Sequence, residues 1–235
     1  MCGRFTARLT WQQLRDLYAI AAPDIGPPHG EPDLKPRYNV APTDVMPVCR
    51  LNRSGQREIA MLRWGLIPYW ATDPKIASKT INARAETAAT APAFREAFKH
   101  RRCLVPASGF YEWKKLDGRD RQPYLIAMRD GSPFSFAGLW ERWDKGGAPI
   151  ETFTIITGEP NSLTTDLHNR MPVILDPGDY DAWLTARDTA GPQALLQPFP
   201  AQLMTAFPVS TKVNSVKNDT PDLIEPMRAE TGNLL

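Results

Sequence analysis

Proline is the residue that most limits how this chain can fold. The sequence has 23 prolines in 235 residues, about twice the average usage. Because proline fixes its own backbone angle and has no N–H to donate, it breaks helices and is excluded from the middle of sheets. We therefore predict many short helices and strands joined by ordered loops, and not a helix bundle.

Composition and charge narrow the class of protein. Hydrophobic residues make up 42% of the sequence and charged residues 23%, as in ordinary soluble globular proteins. The net charge of +2 does not by itself predict a nucleic-acid binder, so a phosphate-binding surface has to come from local clusters of arginine. With no secretory signal and no run of about 18 apolar residues, we predict a cytoplasmic protein without membrane association.

The cysteines and the glycines give no sign of a metal or a nucleotide. Cys2, Cys49 and Cys103 lie far apart, and no Cys/His cluster has the spacing of a zinc site. The odd number of cysteines argues against a disulfide scaffold. The chain also lacks the glycine-rich loops that hold nucleotide phosphates. We therefore expect no metal and no cofactor.

The local patterns predict an α+β fold with a mixed or antiparallel sheet, because strand signals dominate the middle of the chain and helices flank them. Thr10 and Gln13 form a capping-box pattern before a helix near 10–20. Strands are predicted at 44–50, 57–64, 102–106, 109–114, 123–128, 134–140 and 152–157. Further helices are predicted at 91–100, after Asp176-Pro177, and at 191–197. The 23–36 stretch reads as a loop, and 226–235 as a polar tail.

Cys2 has the most unusual chemistry in the chain. If Met1 is removed, Cys2 becomes the N-terminus and carries an α-amine and a thiol on adjacent carbons. Such an amine can condense with an aldehyde to an imine, and the thiol can then close on the imine carbon to give a thiazolidine ring. The alternative interpretation is an ordinary residue in a buried or frayed start.

Asn82 and Arg84 stand two residues apart in the segment 80–87. In an extended segment their side chains point the same way. The amide can hold a reacting amine, and the arginine can grip a phosphate. The alternative is a solvated loop.

Glu112 sits between Tyr111 and Trp113 in a strand-like run. Strand alternation places it on the face opposite these aromatics. A carboxyl near apolar surface has a raised pKa and can act as general acid and base. The alternative is an exposed glutamate paired with Lys114.

His168 precedes an apolar run, and histidine can shuttle protons near neutral pH. Arg170 beside it is a candidate phosphate ligand. The alternative for His168 is a hydrogen-bonded structural histidine.

Aromatic residues in proline-rich loops are candidates for contact with bases. Trp70 ends the segment 64–70 and can stack on an unpaired base. Asn39 and Pro42 lie in the segment 37–43, where the proline can wedge between bases. Either segment can also belong to the core.

Taken in order, these motifs resemble the SOS-response-associated peptidase (SRAP) family. The resemblance covers nearly the whole chain, with matching segments at 2–5, 37–43, 64–70, 81–87, 110–114, 122–124, 167–175 and 213–218. It implies one compact α+β domain over 1–225, with a barrel-like sheet core flanked by short helices. It also implies a monomer that senses abasic sites in single-stranded DNA and cross-links to them, associated with the nucleoid when bound.

The resemblance assigns roles residue by residue. The implied catalytic residues are Cys2, Asn82, Glu112 and His168. The implied DNA-binding residues are Arg4, Asn39, Pro42, Trp70, Arg84, Trp113 and Arg170. Two other functions remain open: a thiol peptidase that uses Cys2 and acts on its own N-terminus, and a non-covalent single-stranded DNA-binding protein.

Overall fold

The computed structural model describes residues 2–20, 34–118 and 120–227, and these form short strands and helices. The strands are β1 (Phe5–Ala7), β2 (Arg37–Val40), β3 (Val45–Leu51), β4 (Arg57–Trp64), β5 (Asn82–Arg84), β6 (Arg102–Ala107), β7 (Gly109–Lys115), β8 (Arg121–Met128), β9 (Phe134–Trp143), β10 (Ile150–Gly158), β11 (Met171–Pro172), β12 (Ile174–Leu175) and β13 (Met204–Pro208). The helices are α1 (Trp11–Leu17), α2 (Arg95–His100), α3 (Tyr180–Thr185) and α4 (Ala190–Ala194). Single 3₁₀ turns lie at Pro74–Lys79, Pro177–Asp179, Ala201–Leu203, Thr211–Asn214 and Pro221–Ile224.

Five strands close into a barrel in the order β10-β4-β3-β6-β9, with β9 pairing back to β10. The β10–β4 pair is parallel, and the other four pairs are antiparallel. Short strands β5, β11 and β12 extend this sheet at its ends. The predicted α+β fold with a mixed, barrel-like sheet is therefore confirmed.

A second sheet packs against the barrel. Its order is β13-β8-β7-β1-β2, and every neighbouring pair is antiparallel. Strand β1 lies inside this sheet, so the start of the chain is hydrogen-bonded on both sides. The face of the sheet that meets the barrel is apolar, and Phe5 packs edge-on against Trp64 at 5.2 Å between ring centroids.

Two apolar clusters follow from the alternation of side chains along the barrel strands. The inner core joins one face of these strands to the second sheet, and includes Phe5, Val40, Val48, Leu62, Trp64, Val105, Phe110, Ile126, Phe136, Phe153 and Ile155. The outer core joins the opposite face to the helices, and includes Leu14, Tyr18, Cys49, Phe98, Leu104, Leu139, Ile156 and Trp183. The inner core matters for function because Cys2 is one of its members.

The helices lie on the outside of the barrel and are short. Thr10 and Gln13 form the predicted capping box at the start of α1. The buried Arg102 side chain donates to the carbonyls of Phe98 at 2.6 Å and Trp183 at 2.5 Å, which ties α2 to α3. Among the described residues, no helix is both long and apolar enough to cross a membrane.

Several predicted boundaries differ from the structure. Helix α2 begins at Arg95 rather than near 91, because the residues around Pro92 form turns instead. Pro177 opens a 3₁₀ turn, and the α-helix begins after it at Tyr180. Helix α4 ends at Ala194, short of the predicted 197. Most of the predicted 23–36 loop and of the 226–235 tail lies outside the described residues.

Gly138 occupies a position in β9 that has no room for a side chain. A Cβ atom there would lie 2.8 Å from Val105 Cγ2 and 2.9 Å from Cys103 Sγ, and both neighbours are fully buried. We expect Gly138→Ala to lower the free energy of unfolding by about 1–3 kcal/mol through overpacking, measured by urea denaturation.

Gly158→Ala is the matched control for this substitution. Gly158 also lies in a barrel strand, and its Cβ would meet Val173 Cγ2 at an ordinary 3.4 Å. We expect its effect to stay within about 0.5 kcal/mol. Equal denaturation midpoints for the two variants would contradict the close packing described for Gly138.

Candidate active site

Cys2 is held in the inner core by the strand that follows it. Phe5 pairs with Phe110 of β7, and the ladder continues one step toward the N-terminus, where the Tyr111 N–H donates to the Arg4 carbonyl at 3.0 Å. Cys2 is fully buried. The charge of Glu112, on the same β7 strand, acts on the Cys2 thiol, so the two side chains lie near each other.

Glu112 points into the inner core. Its neighbours Tyr111 and Trp113 pack in a different cluster on the opposite face of the second sheet, as the alternation predicts. The Glu112 side chain is almost completely buried, at 2% exposure, and burial raises its pKa to about 7. The alternative of an exposed glutamate paired with Lys114 is therefore wrong. A carboxyl with this pKa both gives and takes a proton near neutral pH.

Glu112 influences the ionisation of Cys2. Burial raises the pKa of the Cys2 thiol, and the negative charge of Glu112 raises it further. The thiol is therefore protonated at neutral pH. Its nearest hydrogen-bond acceptor is the Arg4 carbonyl, at 3.9 Å from Sγ.

Asn82 reaches the site from the barrel. Strand β5 pairs in parallel with β10, and Asn82 stands beside Ile155, whose carbonyl accepts from Asn82 Nδ2 at a long 3.5 Å. Asn82 Oδ1 is buried and has no hydrogen-bond partner in the described part of the chain. A buried acceptor without a hydrogen-bond partner is uncommon in folded proteins. It marks a place where a ligand can donate a hydrogen bond.

His168 follows a series of turns at 162–167. His168 Nδ1 lies 3.1 Å from the Arg170 backbone nitrogen and 3.3 Å from the Arg170 carbonyl oxygen, so the backbone of Arg170 holds the ring in place. Burial lowers the pKa of His168, and the positive charges around it lower it further. Near neutral pH the ring is therefore uncharged.

The segments that carry the four predicted catalytic residues all border the inner core. Ile81 next to Asn82, Tyr124 opposite Glu112, and Leu167 next to His168 all pack against the inner core that contains Cys2. The positive charge at the chain's N-terminus lowers the pKa of Glu112 against the larger effect of burial, and also lowers that of His168. The same charge therefore acts on both proton-transfer candidates.

Arg4 and Asn39, two of the predicted DNA-binding residues, are engaged inside the protein. Arg4 Nη1 donates to Asn39 Oδ1 at 2.9 Å and to the Val213 carbonyl at 2.8 Å. Asn39 is 1% exposed, and its Nδ2 group faces the carbonyls of Val213, Ser215 and Asn218. Both side chains hold the 213–218 segment, and their contact with DNA stays a prediction.

Arg170 is bound to another side chain as well. Its two terminal nitrogens contact the Glu86 carboxylate at 3.1 and 2.9 Å, and Nε donates to Thr157 Oγ1 at 3.3 Å. This hydrogen bonding lowers the pKa of Glu86. Because Thr157 pairs with Arg84, the Arg170 side chain connects the His168 loop to the β5 strand that carries Asn82.

The remaining predicted DNA contacts lie nearer the surface. Arg84 is exposed and Trp70 is 42% exposed, with its Nε1 donating to the Pro92 carbonyl at 3.1 Å. Pro42 lies in the turn before β3 and is half-buried. Trp113 is also half-buried, and its Nε1 donates to Asn214 Oδ1 at 2.8 Å.

Two residues that act on predicted site residues, and a third beside Trp70, were not themselves assigned a role from the sequence. Glu86 holds Arg170, and Lys115 is close enough for its charge to lower the pKa of His168. Tyr69, beside Trp70, is 49% exposed. Glu86 and Tyr69 lie inside segments that the sequence analysis singled out. Their closeness in sequence to the predicted residues was the signal that could have identified them.

A cavity of about 690 Å³ is lined by Trp113, Gln122 and Asn214, and so adjoins one of the predicted DNA-binding residues but none of the four predicted catalytic ones. An apolar cavity of about 350 Å³ lies between Phe134, Leu175 and Phe199, and none of its lining residues belongs to the candidate site. Within the described ranges, no group of three or more His, Cys, Asp or Glu side chains is arranged to hold a metal ion.

Known proteins resemble this chain over most of its length. Residues 1–216 match the family model for SOS response associated peptidase (SRAP). The chain is 44% identical over 228 residues to the abasic site processing protein YoqW of Bacillus subtilis, covering 96% of this chain and 99% of that protein. It is 34% identical to the abasic site processing protein YedK of Escherichia coli, covering 97% and 100%.

A solved structure supports the fold. A Bacteroides thetaiotaomicron protein superimposes with a TM-score of 0.80 at 29% identity, covering 95% of this chain and all of that one. Sequence motifs, fold and relatives thus lead to one conclusion: this chain belongs to the SRAP family.

Proposed function

We propose that this protein senses abasic sites in single-stranded DNA and forms a covalent thiazolidine cross-link to them through Cys2. Relatives that match the chain from end to end are named abasic site processing proteins. The observation that carries the chemical part of the proposal is the burial of Cys2 beside Glu112, whose pKa is about 7. A thiol next to a proton donor and acceptor is what closure of an imine to a ring requires.

The first step joins the amine to the aldehyde of the opened abasic sugar. With Met1 removed, the α-amine of Cys2 has an ordinary pKa of about 7.7–8.0, so a useful fraction is neutral near pH 7.5. The nitrogen attacks the aldehyde carbon to give a carbinolamine. Protonated Glu112 then donates to the hydroxyl group, water leaves, and the imine forms.

The second step closes the ring. The Cys2 sulfur adds to the imine carbon, the C–S bond forms, and the thiol proton goes to the nitrogen through Glu112. The whole sequence releases one water molecule. A five-membered ring holds the DNA longer than an open imine, which hydrolyses readily, and the reverse steps through the same groups release it.

Asn82 and His168 complete the site. The open acceptor at Asn82 Oδ1 suits an N–H of the reacting amine, which it would orient toward the aldehyde. The neutral His168 ring, with its pKa lowered by burial, suits proton transfer during hydroxyl loss. Both assignments rest on position and chemistry.

Binding would depend on shape and charge more than on base sequence. Exposed Tyr69 and Trp70 offer stacking surfaces, and exposed Arg84 offers a phosphate contact. A missing base leaves room for the N-terminus to enter the strand. We therefore expect weak sequence preference and an affinity that falls as salt rises.

The state of the thiol favours cross-linking over peptidase chemistry. A thiol peptidase attacks as a thiolate, and the pKa of Cys2 is raised by burial and by Glu112. Addition of a protonated thiol to an imine, with Glu112 accepting its proton, fits this environment better. Cleavage of Met1 from the protein's own chain would still expose the amine that the proposal needs.

The proposal is tested by the intact mass of the adduct. Untagged protein is mixed with single-stranded DNA that carries one abasic site, denatured, and weighed. We expect a species equal to protein without Met1, plus DNA, minus one water. Cys2→Ala should lose the heat-stable adduct, because only the open imine can form.

Matched controls separate the alternatives. DNA with an intact base at the same position should give no adduct. If protein confirmed to lack Met1 gives no adduct either, the covalent function is wrong. Binding that ignores both the missing base and Cys2→Ala would instead indicate a non-covalent single-stranded DNA-binding protein, and hydrolysis of an added peptide would indicate a peptidase.

Glu112→Gln should change the pH dependence of the reaction. In the unaltered protein the cross-linking rate rises as the amine loses its proton, and falls above pH 7 as Glu112 loses the proton that it must donate. Glutamine cannot transfer a proton, so we expect the cross-linking rate to fall by about 100-fold or more. Only the rising limb of the pH profile should remain. Rates are measured by quenched gel assays; an unchanged falling limb would exclude Glu112 as the acid.

The same substitution should stabilise the fold at high pH. Because the folded-state pKa of Glu112 is raised from 4.5 to about 7, its favourable contribution is full below pH 4.5 and is lost as pH rises through 7. The free energy of unfolding of Glu112→Gln should therefore exceed that of the unaltered protein by up to about 3 kcal/mol above pH 7. Near pH 4.5 the two free energies should differ little. Denaturant unfolding at both pH values measures this, with the exposed Glu159→Gln as the control for loss of one carboxylate.

A further inference from the structure

Asn39 joins two parts of the chain that are far apart in sequence. Its Oδ1 accepts from Arg4 at 2.9 Å, and its Nδ2 lies 3.2, 3.0 and 2.8 Å from the carbonyls of Val213, Ser215 and Asn218. Both the donor and the acceptor capacity of the amide are therefore used inside the protein. The side chain is 1% exposed, so these bonds are shielded from water.

Asp219 fixes the other end of the same segment. Its Oδ1 accepts from the backbone N–H groups of Tyr38 at 2.5 Å and Asn39 at 2.9 Å, and its Oδ2 accepts from Arg37 Nε at 2.5 Å. Residues 213–219 are thus fastened to strand β2 at both ends. We refer to them as the 213–219 clamp.

The clamp also reaches the start of the chain. Arg4 Nη1 donates to the Val213 carbonyl at 2.8 Å as well as to Asn39, and Nη2 donates to the Asn214 carbonyl at 3.3 Å. The backbone carbonyl of Arg4 accepts from Tyr111. Arg4 is therefore held through its side chain by the clamp and through its backbone by β7.

Terminal residues of a chain fray unless contacts tie them down. Only Gly3 separates Arg4 from Cys2, so an Arg4 fixed at both its side chain and its backbone leaves the Cys2 backbone little freedom. The bonds that Arg4 makes with the 213–219 clamp supplement the short β1 ladder, which spans only Phe5–Ala7. Without them, the terminal amine and the thiol would move relative to Glu112.

We propose that Asn39 and Asp219 are positioning residues, which act through Arg4 and the 213–219 clamp to hold the N-terminal cysteine against Glu112. This inference rests on the proposed cross-linking function. It gives Asn39 and Arg4 a role in the rate of the chemical step instead of a direct contact with DNA. Misplacing reacting groups by about 1 Å can lower a rate about 100-fold.

Single-turnover cross-linking at increasing concentrations of abasic DNA separates positioning from binding. We expect Asn39→Ala to lower the maximal rate constant by between about tenfold and 100-fold. The DNA concentration that gives half the maximal rate should change by less than about threefold. Arg4→Ala should act on the same step, and the double variant should be no slower than the slower single variant, because both remove one interaction.

A milder variant keeps the test usable if Asn39→Ala folds poorly. Asp219→Asn retains Oδ1 for the two backbone N–H groups and loses the charge and the Oδ2 acceptor that face Arg37, so we expect a smaller fall in the same rate constant. Arg102→Met is the control for lost stability, because Arg102 ties α2 to α3 and contacts none of the site residues. It should unfold more easily and cross-link at the unaltered rate.

Hydrogen exchange supplies a readout that does not depend on DNA. In Asn39→Ala the Tyr111 amide, which donates to Arg4, should exchange faster than in the unaltered protein, whereas amides in β9 should not change. Unchanged exchange at Tyr111, an unchanged maximal rate, or a rise in the half-saturating DNA concentration alone would overturn the positioning role. Faster exchange in a protein that forms no cross-link would retain the anchoring and reject the proposed function.

Discussion

The antiparallel pairing of β1 with β7 is the contact on which the candidate site depends. It places Phe5 opposite Phe110 and, one step further, Arg4 opposite Tyr111, and so leads the chain start with Cys2 along the strand that carries Glu112. Both partners then lie between the second sheet and the barrel, where water is excluded. That exclusion raises the pKa of the Glu112 carboxyl and keeps the Cys2 thiol protonated. One register thus determines both the position and the protonation of the reactive groups.

Local patterns were sufficient where a property depends on neighbours in sequence. The capping box at Thr10, the strands of the barrel and the inward face of Glu112 follow from spacing and alternation, and the structure confirms them. Helix boundaries near Pro92 and Pro177 were less well predicted, because proline permits both a turn and a first helical residue. The family resemblance added the barrel-like closure, which periodicity alone does not contain.

Properties that depend on distant partners were not accessible in this way. Asn39 meets carbonyls about 170–180 residues later in the chain, so nothing near it in sequence indicates that its amide is used internally. The same holds for Arg170, because its partner Glu86 is 84 residues away in the sequence. A polar residue in a functional motif reads equally well as a ligand contact or as a support for one, and only the fold distinguishes them.

The position of Cys2 just before strand β1 also has a mechanical consequence. Strand β1 lies between β2 and β7, so a molecule attached at Cys2 would pull along a strand that is bonded on both sides. Tension in that direction loads several hydrogen bonds in shear at once, together with the Arg4 side chain, instead of opening them one after another. Under the proposed function, DNA under load would therefore be tied to a short strand that is hydrogen-bonded on both sides and supported by the Arg4 side chain.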